Sequence, residues 1–211
     1  MGRDPRSPPP REHAAGGRMK LAFIGSHGVG KTTLCYELAA RLKRQDRTVE
    51  LVMEVARRCP LPINRDTTLP AQAWILHTQV AAELAASAEA EIVICDRAVL
   101  DNYAYLIHQA GRQPAYDALV SAWLASYDAL IKVPIVAPPQ FDGRRDISVE
   151  FQHAIDATID DLLVEFGATV AALDPARRGR WVDDTLTALG LPLHPPQTDL
   201  FGAEPGPADL P

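Results

Sequence analysis

Eight consecutive residues constrain this chain more than any others: Gly25-Ser26-His27-Gly28-Val29-Gly30-Lys31-Thr32. They match the pattern G-x-x-x-x-G-K-[ST], and the spacing has a physical reason. Gly25, Gly28 and Gly30 carry no Cβ, so the backbone can turn tightly and aim several N–H groups inward, where they surround phosphate oxygens. Lys31 adds a point charge, and the Thr32 hydroxyl is a ligand for Mg²⁺. The first turn of the helix that follows, with Thr33 in it, contributes its partial positive charge. The flanks fit. Lys20-Leu21-Ala22-Phe23-Ile24 is an apolar run of strand type, and Leu34, Leu38 and Leu42 share one helical face. Strand, glycine loop and helix in this order predict a triphosphate site built from residues 25–33.

Length and charge bound the rest. A chain of 211 residues suffices for one α/β domain with a substantial core. Its 47% hydrophobic and 23% charged residues are those of a soluble globular protein. The net charge of −6 argues against broad binding to nucleic acid or an anionic membrane surface, and leaves room for a local basic pocket. No apolar run is long enough to span a membrane. Cys35, Cys59 and Cys95 have no C-x-x-C spacing and are expected to be reduced thiols of a cytoplasmic protein. The histidines have no zinc-ligand spacing. Residues 1–18, rich in Pro, Arg and Gly, are expected to be a disordered extension or a mis-assigned start, since Met19 directly precedes the first strand. Residues 19–190 form the expected domain, and the Pro-rich residues 191–211 an expected disordered tail.

Periodicity predicts five strands, over 20–24, 48–53, 91–96, 128–136 and 168–173, with Pro134 near a strand end. Helices are expected after the glycine loop, from Pro70 to about Ala90, over 98–110 and 115–127, from a Ser148 N-cap to Phe166, and over 181–189. In the 70–90 helix, Trp74, Ala81, Leu84 and Ala88 form the expected buried stripe, with His77, Gln79 and Glu83 toward substrate or solvent. In the 148–166 helix, Phe151, Ile155, Ile159, Leu162 and Phe166 face the core, and Asp156, Asp160 and Asp161 form a solvated face.

Ligands in open α/β sheets bind at the carboxyl edge, so the residues closing each strand are candidates. Glu54 follows the second strand, with Arg57 one turn on. Asp96 closes the third strand, where a carboxylate can hold Mg²⁺ together with Thr32. The next residue is Arg97, where ATPases that do mechanical work commonly place a second acid. Ala137 to Asp146 is a Pro- and Gly-containing connection with paired arginines, Arg144 and Arg145, placed to cover phosphates as charge develops. Arg177, Arg178 and Arg180 are weaker candidates for contact with a base.

The glycine loop, Glu54-x-x-Arg57, Asp96-Arg97 with Asp101 and Tyr105 behind it, and Asp142-Gly143-x-Arg145-Asp146 together resemble the NadR/Ttd14-like AAA ATPase-domain family. That family is a branch of the P-loop kinases related to nicotinamide riboside kinase, thymidylate kinase and the deoxynucleoside kinases. The resemblance covers residues 19–190. It implies a P-loop NTPase three-layer α/β fold, with a five-stranded parallel sheet of order 2-3-1-4-5 and helices on both faces. It also implies binding of Mg-ATP and phosphoryl transfer to a small nucleoside-like or nucleotide-like acceptor. Lys31, Asp96, Glu54, Arg144 and Arg145 would be catalytic, with Glu54 as general base and Asp96 its competitor. Glu54, Arg57, Arg97 and Tyr105 would meet the acceptor. The alternative is a regulatory ATP or GTP switch, or an ATPase acting through a protein partner. No Asn-Lys-x-Asp guanine motif is found, which leans base choice to adenine. A homodimer stays open.

Overall fold

Strand β1, Met19–Ile24, is buried at all six positions, including Lys20. A strand with helices on both faces must be, and this explains its unbroken apolar run. The computed structural model describes residues 18–63, 67–139 and 148–195. After β1 come α1 (Lys31–Lys43), β2 (Val49–Val52), a 3₁₀ turn (Val55–Arg58), α2 (Leu69–Glu89) and β3 (Ile92–Asp96). Then follow α3 (Val99–Ala110), α4 (Pro114–Leu124), β4 (Ala129–Lys132), α5 (Val149–Glu165), β5 (Ala171–Ala172), a second 3₁₀ turn (Pro175–Arg180) and α6 (Trp181–Ala188). The five strands form one parallel sheet of order β2-β3-β1-β4-β5, as expected.

The period of two along the strands splits the core into two layers. Ala22, Ile24, Val93 and Cys95 point to one face and pack with α2, α3 and α5. Leu21, Phe23, Ile92, Ile94 and Ile131 point to the other and pack with α1 and α6. Leu21, Phe23, Ile24, Ile92 and Ile94 are wholly buried, each contributing about 1.5–3 kcal/mol of hydrophobic stabilisation. Register places Phe23 beside Asp96 and Ile24 beside Lys132. The ends of β1, β3 and β4 therefore form one rim, and the glycine loop leaves from its centre.

Several local expectations change. β4 stops at Lys132, before Pro134, and β5 is only two residues long at the exposed edge. The α2 face is the largest change. Helix α2 buries Ala71, Gln72, Ile75, Leu76, Gln79 and Glu83, while Leu84 is 59% exposed and Ala81 and Ala88 lie at the surface. Three polar side chains, Gln72, Gln79 and Glu83, are inside because their hydrogen-bond partners are inside too. Only His77, of the three polar residues expected outside the core face, is exposed. On α5, Ile155, Ile159 and Leu162 face the core as expected and Ser148 caps Phe151 N at 3.1 Å. Asp160 is exposed as expected, though it meets Lys132 at 2.5 Å, whereas Asp156, expected in solvent, is half-buried and meets Lys132 at 3.2 Å.

The fold continues past residue 190. Leu191 N donates to Leu186 O, and Arg41 and Gln45 donate to the carbonyls of Leu193 and Pro192. Arg18 likewise donates to the carbonyl of Ser87, at the end of α2. The expectations for residues 1–17 and 196–211 lie outside the described residues.

Candidate active site

The loop after β1 is shaped by its glycines. Gly25 has φ +132°, and a Cβ there would sit 2.8 Å from the Val133 carbonyl oxygen. Gly28 has φ +79°, and its Cβ would press on Pro139 at 3.2 Å. Only glycine combines these angles with such close backbone approach. Gly30 ends the loop and α1 begins at Lys31, so the helix N-terminus opens into the loop.

Buried and half-buried side chains from α3, α5 and α1 hold the loop from behind. Asp101, in the first turn of α3, accepts from Gly25 N at 2.9 Å with one oxygen and from Ala98 N at 2.9 Å with the other. Asp156, on α5, accepts from Ser26 N at 3.3 Å. Gln152 donates to His27 O at 2.8 Å. Phe151 sets its ring against His27, and Tyr105 OH meets His27 Nδ1 at 3.1 Å. Lys31 is turned back into the loop, donating to the carbonyls of Gly25 and Ser26 at 2.7 and 2.6 Å. Burial, with Arg97 nearby, lowers its amine from 10.5 to about 8. The buried Ser26 hydroxyl has no partner among the described residues.

At the start of α1 the Thr32 hydroxyl donates to the Asp96 carboxylate at 2.5 Å. A hydroxyl and a carboxylate in contact are hard oxygen donors, the chemistry that suits Mg²⁺. Among the described residues there is no group of three His, Cys, Asp or Glu that could hold a metal alone. The pair therefore fits a cation that draws its remaining ligands from phosphate and water.

Glu54 lies across from this pair, just past β2. One carboxylate oxygen accepts from Arg97 Nε at 3.0 Å and the other from Arg57 Nε at 2.9 Å. Burial alone would raise its pKa, but the cations of Arg97, Lys31 and Arg57 outweigh burial and bring it to about 2. Arg97 is 7% exposed, and its guanidinium lies 4.8 Å above the Tyr105 ring. Its φ of +94° is a left-handed conformation that a long side chain seldom adopts. Strain of this kind persists where the surroundings over-determine it, commonly at functional sites. The Arg97 Nη1 atom is buried with no partner among the described residues. Thr32, Asp96, Glu54, Arg57, Met53 and Tyr36 line one cleft of about 740 Å³, the size of a small-ligand site.

The structure thus gathers the glycine loop, Asp96, Glu54, Arg57, Arg97 and Tyr105 at one rim. Arg144, Arg145 and the Asp142-to-Asp146 motif lie outside the described residues. The residues on either side of them do lie at the loop: Pro139 against Gly28, and Gln152 on His27. Arg177 is paired with Asp184, and Arg178 stacks over Trp181 at 6.0 Å, so both are engaged within their own segment. Sequence reasoning missed Asp156 and Gln152 as loop supports, and Gln79, which donates to the Arg97 carbonyl at 3.1 Å. No pattern in the sequence marks them. Cys35 and Cys95 are buried free thiols, both pushed up chiefly by burial.

A parallel sheet of this order, with a G-x-x-x-x-G-K-T loop after β1 and an acid closing the neighbouring β3, defines the P-loop NTPase fold. The chain belongs to the AAA domain family, whose model matches residues 20–181. Among curated protein sequences none matches it. Two of the solved structures that share the fold illustrate the likeness. One is a NadR protein in complex with NR, with TM-score 0.67 and 19% identity over 85% of this chain. The match spans 54% of that protein, about half its length. The other is thymidylate kinase from Ehrlichia chaffeensis, with TM-score 0.61, 19% identity, 83% of this chain and 100% of that one.

Proposed function

We propose that this protein is a small-molecule kinase, transferring the γ-phosphoryl group of ATP to a hydroxyl on a nucleoside-like or nucleotide-like acceptor. One observation carries the reading. The Thr32–Asp96 pair and the Glu54–Arg57 pair line the same cleft, so a donor site and an acid flanked by arginines face each other. The likeness to a NadR protein and a thymidylate kinase supports it.

Phosphoryl transfer asks mainly for positioning and for neutralisation of charge. The amides of residues 25–33 receive the donor phosphates. Lys31 exchanges its two loop carbonyls for phosphate oxygens. Thr32 and Asp96 hold Mg²⁺, which when bound neutralises charge on the donor phosphates. Glu54, ionised throughout the neutral range, accepts a hydrogen bond from the acceptor hydroxyl and aims its oxygen at the donor. A carboxylate held at about 2 orients this proton better than it captures it, so Asp96 keeps its place as the competing base. Arg97 and Arg57 bind the acceptor, with Tyr105 under Arg97. Arg144 and Arg145 cover the transferring group.

The test is ADP release from ATP·Mg²⁺ with nucleosides, nucleoside monophosphates and nicotinamide riboside in turn, and Lys31→Ala as the blank. Acceptor-dependent ADP supports a kinase and names its acceptor class. ATP binding with no acceptor-dependent ADP overturns that and favours a nucleotide switch acting through a protein partner.

A further inference from the structure

Glu83, on α2, is wholly buried, and four donors converge on it. Lys20 Nζ and Trp123 Nε1 reach Oε2, both at 2.8 Å. Tyr127 OH and Gln79 Nε2 reach Oε1, at 2.6 and 2.9 Å. Lys20 is further held by Ser126 Oγ at 2.8 Å and lies over the rings of Trp123 and Tyr127. A buried carboxylate with four donors is fixed in place.

The two groups on Oε1 do more than bind Glu83. Gln79 Nε2 also donates to the Arg97 carbonyl at 3.1 Å. Tyr127 OH also accepts from Val99 N at 3.0 Å. Between these two points Ala98 N is held by Asp101, and before them Arg97 N donates to Phe23 O. The turn from Arg97 to Val99 is therefore gripped at successive backbone groups, two of them through one oxygen of Glu83. The orientation of the Gln79 amide is forced, because its neighbours at that end are both acceptors. Its own oxygen is left buried with no partner among the described residues. A leucine would fill this helix position without that cost, but could not reach the Arg97 carbonyl.

We propose that Gln79 and Tyr127, anchored on Glu83, are positioning residues that hold the Arg97–Val99 turn, with Arg97 in its left-handed form, and so present the Arg97 guanidinium to Glu54, whose carboxylate lines the cleft. The part of this that concerns turnover rests on the kinase reading above; the part that concerns Arg97 does not.

The test uses the full chain with Gln79→Met, which keeps the helix and the volume but removes the donor, and Tyr127→Phe, which keeps the ring over Lys20. The primary readout is hydrogen exchange at the Arg97 Nε–H, assigned in ¹⁵N spectra by its loss in Arg97→Lys. Exchange faster by about tenfold or more in Gln79→Met supports the proposal. A folded Gln79→Met with unchanged Arg97 exchange overturns it. If Gln79→Met does not fold, Tyr127→Phe decides by the same criterion. A second readout separates positioning from general loosening. Affinity for ATP·Mg²⁺ stays within about twofold of wild type, while turnover with the acceptor found above falls about tenfold or more. A parallel loss of both is the outcome of a merely structural role and overturns the proposal. Absence of acceptor-dependent ADP in the wild type overturns the kinase reading alone and leaves the exchange measurement decisive.

Discussion

The Asp101 carboxylate accepts the Gly25 amide at 2.9 Å, joining the first residue of the phosphate loop to the first turn of α3. Its second oxygen accepts Ala98 N at the same distance. Both partners are donors, so the site needs two acceptor oxygens. Asp101→Asn has only one, and sets an N–H₂ group against a backbone N–H. Such a buried mismatch costs roughly 1–3 kcal/mol. The variant is expected to melt several degrees lower and to bind ATP·Mg²⁺ more weakly. Thermal melts and a fluorescent-nucleotide titration check this, and unchanged values in both would show that the loop does not depend on Asp101.

Lys31 gives a pH signature. Burial first, and Arg97 second, bring its amine to about 8, below its ordinary 10.5. A charged form disfavoured by folding is a penalty below about pH 8 that is relieved as pH rises toward 10.5. Phosphates reverse this, because they favour the ammonium. Triphosphate binding is therefore expected to take up a proton near pH 8.5, and affinity to fall as pH rises through 8. Calorimetry in two buffers of different ionisation heat measures the uptake. An apparent enthalpy independent of buffer would refute it.

Glu54 gives the opposite sign at low pH. Its carboxyl is held at about 2 instead of 4.5, so its pairing stabilises the fold fully above pH 4.5 and is lost as pH falls toward 2. The stabilisation is on the order of 3 kcal/mol, with about 2 kcal/mol gone by pH 3. Glu54→Gln is expected to be less stable than wild type at pH 7, with the gap narrowing at pH 3. Urea unfolding at the two pH values decides, and a constant gap would rule out the Arg-paired carboxylate as its source.

If Arg145 meets charge that grows during transfer, Arg145→Ala lowers kcat by about tenfold or more with little change in donor affinity. A loss confined to donor Kd would make it a ground-state contact.

The loop and Asp96 were legible because each depends on local order: glycines at fixed spacing, and a strand ended by an acid. The sheet order came with the family resemblance. The α2 face was not legible, because periodicity counts apolar side chains and here Gln79 and Glu83 are inside while Leu84 is outside. What permits their burial is Lys20, 63 residues away from Glu83, and Trp123, 40 residues away. Asp156 misled for the same reason. It sits among acids on a helix, and its partners Lys132 and Ser26 come from other elements. Side chains that support a site through tertiary hydrogen bonds leave no period in the chain.

Pro139 rests on the Gly28 side of the phosphate loop, and Gln152 and Asp156 rest on its His27 and Ser26 side. The loop is thus clasped between a stretch that follows β4 and the first turns of α5, elements far from it in the chain. Its shape is a property of the assembled domain and not of its own eight residues: the same octapeptide grafted between another strand and helix, without these contacts, is not expected to keep this geometry.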